Sequence, residues 1–335
     1  MSRTVNTTQV VSNWLIGREI VEEEQQGKRR AGYGEKVLED LSIKLRHEFG
    51  TGYSVQNLRF IRQFYLTYPI LLGDSKIRYA VRSESWRPGH LNPNLSWTHY
   101  RTFLRVEKAE ARAFYEIETV SNNWKTRELE RQINSLLYER LALSKDKKGL
   151  MRLATKGQEI QKPTDVFKDP VVMEFLGLPE SPKLVESDLE QALINNLQSF
   201  LLELGKGFAF VSRQERITLD GDHFYIDLVF YHTILKCFVV IDLKVGKLNH
   251  QDLGQFQLYV NYYDQERRTE GDNPTLGLIL CTDKNDAVVR YTLGPDQQKK
   301  IFASRYKLYL PTEAELKAEL RRELRLLTDH SKSEK

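Results

Sequence analysis

The sequence predicts an α/β carboxyl-terminal core with a mixed sheet, preceded by a mainly α-helical amino-terminal domain. Two apolar runs indicate the sheet, because residues 224–231 and 237–245 have strand length and are rich in Val, Ile, Phe and Tyr. Residues 189–204 carry leucines at helical spacing and predict an amphipathic helix ahead of those strands. With 335 residues the chain exceeds the usual size of a single core, so we expect two folding units.

The two strand-like runs are close enough in sequence to form one hairpin. If residues 233–236 form its loop, antiparallel pairing places Asp227 directly opposite Asp242. Facing carboxylates inside a packed sheet repel each other and are costly to bury, and a divalent cation would relieve both effects. Lys244 lies two residues beyond Asp242 and therefore projects from the same strand face. The arrangement predicts an acidic metal site with an ammonium group beside it.

This set of residues resembles the motif of the PD-(D/E)xK nuclease superfamily, and the chain resembles its bacterial YhcG-type family from about Phe167 to Pro311. The Asp-x-Lys triplet alone is common by chance, whereas the ordered series of helix, strands, motif, helix and strand is far more specific. The matching segments are VFKDPVVMEFLGLPE, LEQALINNLQSFLLELGKGFAFVSRQ, LGQFQLYVNYYD, GLILCTDKND and YKLYLP. The resemblance implies a restriction-endonuclease-like core with the element order αβββαβ.

The resemblance also implies a further acidic residue on the helix before the first core strand. Glu190 is the best match, near the start of an apolar stripe that runs to Leu204, and Glu186 is the nearest alternative. The chain departs from the usual spelling at two positions. It has Asp242 where the YhcG-type motif more often has Glu, and Ile226 where the superfamily name would have Pro. Neither difference removes a ligand, although the shorter Asp242 would draw the metal inward.

After the motif strand, Gln255 and Tyr259 lie four residues apart and therefore share one helix face. The core stripe of this helix is predicted to be Leu253, Phe256, Val260 and Tyr263. The Gln-x-x-x-Tyr pair resembles a feature of RecB-type members of the superfamily, where it helps to shape the active site. Gln255 would then bond to Lys244 or to the scissile phosphate. Gln257 is the alternative functional glutamine, and core packing is the alternative role of the tyrosine.

Phosphodiester hydrolysis needs a positioned water, a cation that lowers the pKa of that water, and a donor near the attacking oxygen. The resemblance implies that Asp227, Asp242 and the backbone carbonyl of Leu243 hold Mg²⁺, with Mn²⁺ as an alternative ion. Glu190 would complete the outer ligand sphere or bind a second ion. Lys244 would orient the water or stabilise developing negative charge.

Composition favours a protein of the reducing cytosol. The chain has 40% hydrophobic residues and two cysteines, so no disulfide framework is expected. No apolar run is long enough to span a bilayer, and the first residues lack the apolar core of a signal peptide. The net charge is +4, with the positive charge in residues 1–170 and net negative charge in residues 171–335. We therefore expect a cytoplasmic protein, without membrane association, whose amino half binds phosphates.

The amino half predicts an opening helix followed by a helix-turn-helix. The opening helix is marked by Trp14, Ile16, Ile20 and Val21. Residues 22–34 are predicted to be a polar loop. Residues 33–49, 50–53 and 54–69 then give helix, turn and helix, with Ser54 as the amino-terminal cap of the last helix.

The last of these helices is predicted to have one buried and one exposed face. Its inward residues are expected to be Val55, Leu58, Ile61 and Phe64. Its outward residues include Gln56, Asn57, Arg59 and Arg62, which could read base edges or bind phosphates. The alternative is an ordinary solvated polar face. This region resembles the amino-terminal domain of the YhcG-type family, and the resemblance implies a winged-helix-like, DNA-binding fold.

These observations predict four segments. Residues 1–142 are expected to form the DNA-binding domain, 143–165 a lysine-rich linker open to proteolysis, and 166–312 the nuclease domain. Residues 313–335 are expected to form a charged helix and a disordered tail. The helix could dock on the nuclease core or pair with a second copy of the chain.

The leading functional hypothesis is a Mg²⁺-dependent endodeoxyribonuclease whose amino-terminal domain engages DNA. RNA is an alternative substrate, because the chemistry at phosphorus is shared. The alternative from a different class is a DNA- or partner-binding protein that uses a catalytically silent nuclease fold as a scaffold. Intact Asp227, Asp242 and Lys244 argue against the scaffold.

Overall fold

The chain was analysed as a computed structural model, which describes residues 2–26, 33–72, 86–143, 147–179, 181, 183–312, 314–316 and 318. The fold divides into two units. One comprises Met1–Ile133 with Lys147–Gly157, and the other comprises Asn134–Asp146 with Gln158–Lys335. Within the described residues, no helix is long and apolar enough to cross a membrane.

The described part of the amino-terminal unit is helical, as expected. Its helices are α1 Ser2–Gln26, α2 Tyr33–Phe49, α3 Val55–Thr67, α4 Trp97–Phe103, α5 Ala109–Asn122, α6 Thr126–Asn134 and α8 Lys147–Lys156. No strand occurs in its described ranges 2–26, 33–72, 86–133 and 147–157. The wing of the expected winged helix therefore has no counterpart among these residues.

The expected helix-turn-helix is present as α2, a 3₁₀ turn at Thr51–Tyr53, and α3. The Ser54 side chain accepts a hydrogen bond from the Asn57 backbone N–H at 3.2 Å, which confirms the predicted cap. Leu58, Ile61 and Phe64 are fully buried, so the predicted inward face is confirmed except that Val55 is only partly buried.

The polar loop expected at residues 22–34 is shorter than predicted. Helix α1 continues to Gln26 and α2 begins at Tyr33, because Glu and Gln are good helix formers and nothing in residues 22–26 interrupts the helix. Residues 27–32 lie outside the described part of the chain.

The carboxyl-terminal unit is built on a six-stranded mixed sheet in the order β1-β6-β5-β4-β3-β2. Its elements are α7 Leu137–Leu143, β1 Val171–Val172, α9 Glu186–Asn195, α10 Leu197–Leu204, β2 Phe208–Leu219, β3 Asp222–His232, β4 Cys237–Lys247, α11 His250–Tyr262, β5 Leu276–Asp283, α12 Asp286–Thr292 and β6 Ile301–Lys307. Strands β2, β3 and β4 are antiparallel neighbours, whereas β4, β5 and β6 are parallel. The predicted order of helix, three strands, helix and strand is confirmed.

The middle strands of the sheet are covered on both faces. On one face α9 and α10 pack against β3 and β4, with Leu189, Leu193 and Phe200 fully buried. The predicted single helix over 189–204 is interrupted at Asn196, whose side chain bonds back to the Ala192 carbonyl at 3.0 Å.

On the other face α11 packs through the predicted stripe of Leu253, Phe256, Val260 and Tyr263, which are all buried. Gly277 on β5 makes this contact close, because a Cβ there would lie 2.5 Å from the Phe256 ring. The two helical layers therefore hold β3 and β4 at the centre of the unit.

The segment predicted as a linker, residues 143–165, contains helix α8, which packs on α5. Leu153 is buried there, so this part of the segment is less open to proteolysis than its low hydrophobicity suggested. At the other end of the chain, Thr312 and Glu315 form reciprocal cap contacts and Leu316 is buried. The remainder of the expected carboxyl-terminal helix and tail, with its expected self-association, lies outside the described residues.

A buried ion pair fixes α7 to the nuclease sheet. Arg140 and Glu203 are both fully buried, with Nη1 and Oε1 2.5 Å apart. The same guanidinium donates to the carbonyls of Ser135 and Pro170, and Glu203 also accepts from the Val172 N–H at 3.1 Å. This network explains why residues 134–146 group with the carboxyl-terminal unit, although 1–142 was expected to be one domain.

We expect Glu203→Ala to destabilise the carboxyl-terminal unit by about 3–5 kcal/mol, because the substitution leaves the Arg140 charge buried without its partner. Urea unfolding followed by far-UV circular dichroism measures the change. Lys299→Ala is the control, since it breaks an exposed pair with Asp296 and should change stability by less than about 1 kcal/mol. Equal effects of the two substitutions would contradict a structural role for the buried pair.

Candidate active site

The motif strands form the predicted hairpin. Strands β3 and β4 pair from His232↔Cys237 to Leu228↔Ile241, which is the register that follows from a loop at residues 233–236. Continuing that register by one pair brings Asp227 opposite Asp242. The ladder ends just before them, and the Asp227 Oδ2 atom instead accepts the Leu243 N–H at 2.8 Å. A carboxylate therefore occupies the position of the next ladder acceptor.

The two aspartates and Lys244 are brought together at the end of this hairpin. Asp242 is only 5% exposed, and its Oδ2 lies 3.2 Å from the Lys244 Nζ. Burial, and then the charge of Asp227, raises the pKa of Asp242 to about 7. Burial also raises the pKa of Asp227. One ammonium group is therefore not enough to offset the cost of holding a buried carboxylate beside a partly buried one.

Lys244 faces a third carboxylate, that of Glu186 on α9. The Glu186 Oε2 lies 3.7 Å from the Lys244 Nζ, and its Oε1 accepts the Val245 N–H at 3.2 Å. Burial alone would lower the pKa of Lys244, but the charges of Asp242 and Glu186 outweigh it and raise that pKa. Glu186, the alternative to Glu190 in the sequence, is thus the glutamate that contacts the motif strand directly.

Glu190 reaches the site through a residue that the sequence did not single out. The Gln214 Nε2 donates to the Glu190 Oε2 at 2.7 Å and to the Asp227 Oδ1 at 3.1 Å. Burial raises the pKa of Glu190, and the charge of Asp227 adds to that shift. Sequence periodicity carries no signal for Gln214, because only the register of β2 against β3 places it beside Asp227.

The predicted glutamine–tyrosine pair on α11 is joined by a hydrogen bond. The Gln255 Nε2 donates to the Tyr259 Oη at 2.5 Å, rather than bonding to Lys244. Tyr259 is 2% exposed, and its pKa is raised by burial and by the nearby charge of Asp242. The alternative glutamine, Gln257, lines a separate surface depression with Thr218.

The donor set fits a hard divalent cation. Asp227 and Asp242 supply carboxylate oxygens at one end of the hairpin, and their burial and mutual repulsion are offset by positive charge. Among the described residues, no three His, Cys, Asp or Glu side chains converge closely enough to hold an ion unaided. Water or substrate oxygens would therefore complete the ligand sphere, as is usual for Mg²⁺.

The four expected nucleic-acid contacts lie on α3 in the amino-terminal unit. Gln56 and Arg59 are exposed. Arg62 is paired with Glu24 of α1, with Nε and Oε2 2.9 Å apart, and the Asn57 amide donates to the Gly52 carbonyl at 2.6 Å. Arg62 and Asn57 are thus engaged within their own unit.

Comparison with known proteins identifies the family. Residues 164–324 match the YhcG PDDEXK nuclease domain, and residues 1–140 match the DUF1016 N-terminal domain. The chain is 37% identical over 333 residues to the Escherichia coli K12 protein described as "putative nuclease YhcG", covering 95% of this chain and 88% of that protein. The chain belongs to the YhcG family. Its carboxyl-terminal unit is the PDDEXK nuclease domain of that family.

Solved structures give weaker similarities. A repair endonuclease from Pyrococcus abyssi is 16% identical, with a TM-score of 0.28, over 40% of this chain and 50% of that one. A complex of EndoMS with double-stranded DNA is 14% identical, with a TM-score of 0.28, over 40% of this chain and 51% of that one. Similarity of this size has no bearing on what the YhcG-family chain does.

The raised pKa of Asp242 predicts a pH-dependent stability. The carboxyl group has a pKa of about 7 when folded and about 4 when unfolded. The folded chain therefore binds this proton more tightly, and the free energy of unfolding falls as pH rises from about 4 to about 7. In EDTA, Asp242→Asn should remove this contribution, which is at most about 1.4 kcal/mol per pH unit.

Urea unfolding at several pH values measures this slope. Asp220→Asn, which changes an exposed turn carboxylate, is the control and should keep the wild-type slope. A wild-type slope in Asp242→Asn would show that the carboxyl group is not perturbed by its neighbours.

Proposed function

We propose that the chain is a metal-dependent nuclease that hydrolyses phosphodiester bonds, most readily those of DNA. The observation that carries the proposal is the convergence of Asp227, Asp242 and Lys244 at the end of the β3–β4 hairpin. Carboxylates that repel each other beside a single ammonium group are stabilised when a further cation joins them. The match of this unit to the PDDEXK nuclease domain supports the same chemistry.

The roles of the side chains follow from their positions. Asp227 and Asp242 would hold Mg²⁺, or Mn²⁺ as an alternative, with the Leu243 carbonyl as a further oxygen ligand. The bound cation would supply a lowered pKa for the attacking water and would neutralise charge on the phosphate. Lys244 lies beside Asp242 and would donate a hydrogen bond to the water or to the developing phosphorane oxygen.

The surrounding residues would orient these groups. Glu186 and Asp242 both contact the Lys244 ammonium, which limits the directions in which that ammonium can point. Glu190 is linked to Asp227 through Gln214 and would act outside the direct ligands or toward a second ion. Tyr259 and Gln255 form a hydrogen-bonded pair near Asp242, where they would shape the wall of the site.

DNA is the preferred substrate because positive charge is concentrated in the amino half, where the DUF1016 N-terminal domain lies. We propose that this domain engages DNA through the exposed face of α3. The second candidate is binding without turnover, in which the nuclease fold serves as a scaffold. The engagement of Arg62 with Glu24 favours neither candidate, since an ion pair can exchange for a phosphate contact.

Substitutions of the lysine and of the aspartates in the motif should remove different properties. Lys244→Ala should lower the nicking of plasmid DNA by at least about 100-fold while Mg²⁺ binding and DNA binding remain, because the ammonium acts on the reacting groups. Asp227→Asn should lose cleavage and Mg²⁺ affinity together, because it removes a charged oxygen ligand. The measurements are nicking of supercoiled DNA with Mg²⁺, Mn²⁺ or EDTA, and calorimetric titration with Mg²⁺.

Lys299→Ala is the matched control, because it removes an exposed lysine that pairs with Asp296 and not with a residue of the candidate site. This variant should cleave as the wild type does. Parallel assays with linear, branched and single-stranded DNA and with RNA identify the substrate. Cleavage that survives in Lys244→Ala would contradict the proposed site. Tight DNA binding without cleavage in any divalent metal would establish the scaffold.

The proposed role of α3 is tested by the salt dependence of DNA binding. Replacing Arg59 and Arg62 with Ala should weaken DNA binding and reduce the slope of log affinity against log salt by about one unit for each phosphate that is no longer neutralised. Glu24→Ala is the control, because it releases Arg62 from its ion pair and should leave the slope unchanged or steeper. An unchanged slope in the double arginine variant would assign this face to packing or to protein contacts.

A further inference from the structure

Gln214 has one amide group placed between two acidic side chains of the candidate site. We infer that Gln214 is a positioning residue that holds Asp227 and Glu190 in the geometry that receives the metal. This inference rests on the proposed function. Gln214 lies outside the acidic-x-Lys motif and on a different strand.

The sheet places Gln214 opposite the first motif aspartate. Strand β2 pairs with β3 at Arg213↔Leu228 and at Glu215↔Ile226, so the register between these two pairs sets Gln214 opposite Asp227. The β3–β4 register places Asp227 next to Asp242. Gln214 therefore extends the row of site residues across a third strand.

The backbone at Gln214 is held in an unfavourable conformation. Its φ is 46°, in the left-handed region that costs a side-chain-bearing residue about 1 kcal/mol. The other described non-glycine residues with positive φ lie at helix ends or in turns, namely Asn123, Leu136, Asp220 and Lys236. Gln214 lies inside a strand, where no turn or helix end explains the conformation.

The amide chemistry matches its neighbours. A glutamine –NH₂ group has two hydrogens, and the acceptors within reach are the Glu190 Oε2 at 2.7 Å and the Asp227 Oδ1 at 3.1 Å. A neutral donor can join two carboxylates without adding a charge that would compete with a cation. Asp227 is then fixed at both oxygens, by Gln214 and by the Leu243 N–H at 2.8 Å. Its carboxylate can no longer rotate away from Asp242.

Two explanations of the strained conformation can be separated by one substitution. If Gln214 only fills a backbone irregularity within the strand, glycine should serve as well or better, because glycine adopts positive φ without cost. If Gln214 acts through its amide, glycine should relieve the strain and still damage the site. Gln214→Gly therefore moves stability and metal binding in opposite directions under the proposal.

The test uses the full-length protein and Mg²⁺ as the probe. Gln214→Gly should melt in EDTA at or above the temperature of the wild type. Its Mg²⁺ affinity by calorimetry should fall by at least about tenfold, as is usual when a residue supporting a metal ligand is removed. The rise in melting temperature on adding Mg²⁺ should shrink accordingly. In cleavage assays, kcat should fall while KM for DNA changes little, because Gln214 would position ligands rather than bind substrate.

Asp220→Gly is the matched control. It places glycine at another positive-φ position, in the β2–β3 turn away from the carboxylates, and should keep the wild-type Mg²⁺ affinity. Should Gln214→Gly not fold, Gln214→Met preserves the length of the side chain without its donors and should show the same tenfold decrease.

A wild-type Mg²⁺ affinity in Gln214→Gly, or in Gln214→Met where the glycine variant does not fold, would overturn the positioning role while leaving the nuclease assignment intact. A wild-type protein that neither binds Mg²⁺ nor cleaves nucleic acid would overturn the proposed function and this inference with it. The two failures are therefore distinguishable by the behaviour of the wild type.

Discussion

The candidate site depends on the repulsion between Asp242, which is buried, and Asp227, which is partly buried. Asp227 and Asp242 lie at the end of a hairpin whose paired residues are mostly apolar and buried. A single lysine neutralises part of their charge, whereas burial and the charge of Asp227 raise the pKa of Asp242 to about 7. A fold selected only for stability would place apolar residues there, because a buried like-charged pair opposes folding. The proposed cation site gives this pair a functional role.

The sheet places the two aspartates at the point where β3 and β4 stop pairing. Strand β4 lies between antiparallel β3 and parallel β5, so its central residues are buried on both faces. From Asp242 onward its residues no longer pair with β3. Helix α9 supplies Glu186 and Glu190 from one layer, and α11 supplies Tyr259 from the other. Side chains from β2, β3, β4, α9 and α11 therefore converge where pairing between β3 and β4 stops. The rigid layers position the site, and the end of the ladder makes it accessible.

The sequence could predict the site to the extent that local rules determine it. A four-residue loop fixes the hairpin register, so the neighbourhood of Asp227 and Asp242 follows from counting residues. The apolar stripe of α11 follows from helical periodicity in the same way. The choice between Glu186 and Glu190 did not follow, because both lie on the exposed side of α9 and only the tertiary fold shows which one contacts β4.

Gln214 and Arg140 show more clearly what sequence patterns cannot predict. Each depends on a partner brought close by long-range packing, with Arg140 lying 63 residues from Glu203, and neither occupies a position that periodicity distinguishes. The sequence did not predict helix α8 for a related reason. Its lysines lower the mean hydropathy of the segment, and among its described residues Leu153 is almost the only side chain that the helix buries. Residues whose roles depend on distant partners are those that sequence patterns describe least well.

The most direct measurement of the central claim is anomalous diffraction from crystals of the full chain soaked in Mn²⁺. A manganese peak within about 2.0–2.3 Å of carboxylate oxygens of both Asp227 and Asp242 is the predicted result. A well-ordered hairpin with no peak between these two aspartates, at a Mn²⁺ concentration that supports cleavage, would contradict the assignment of this pair as the metal site.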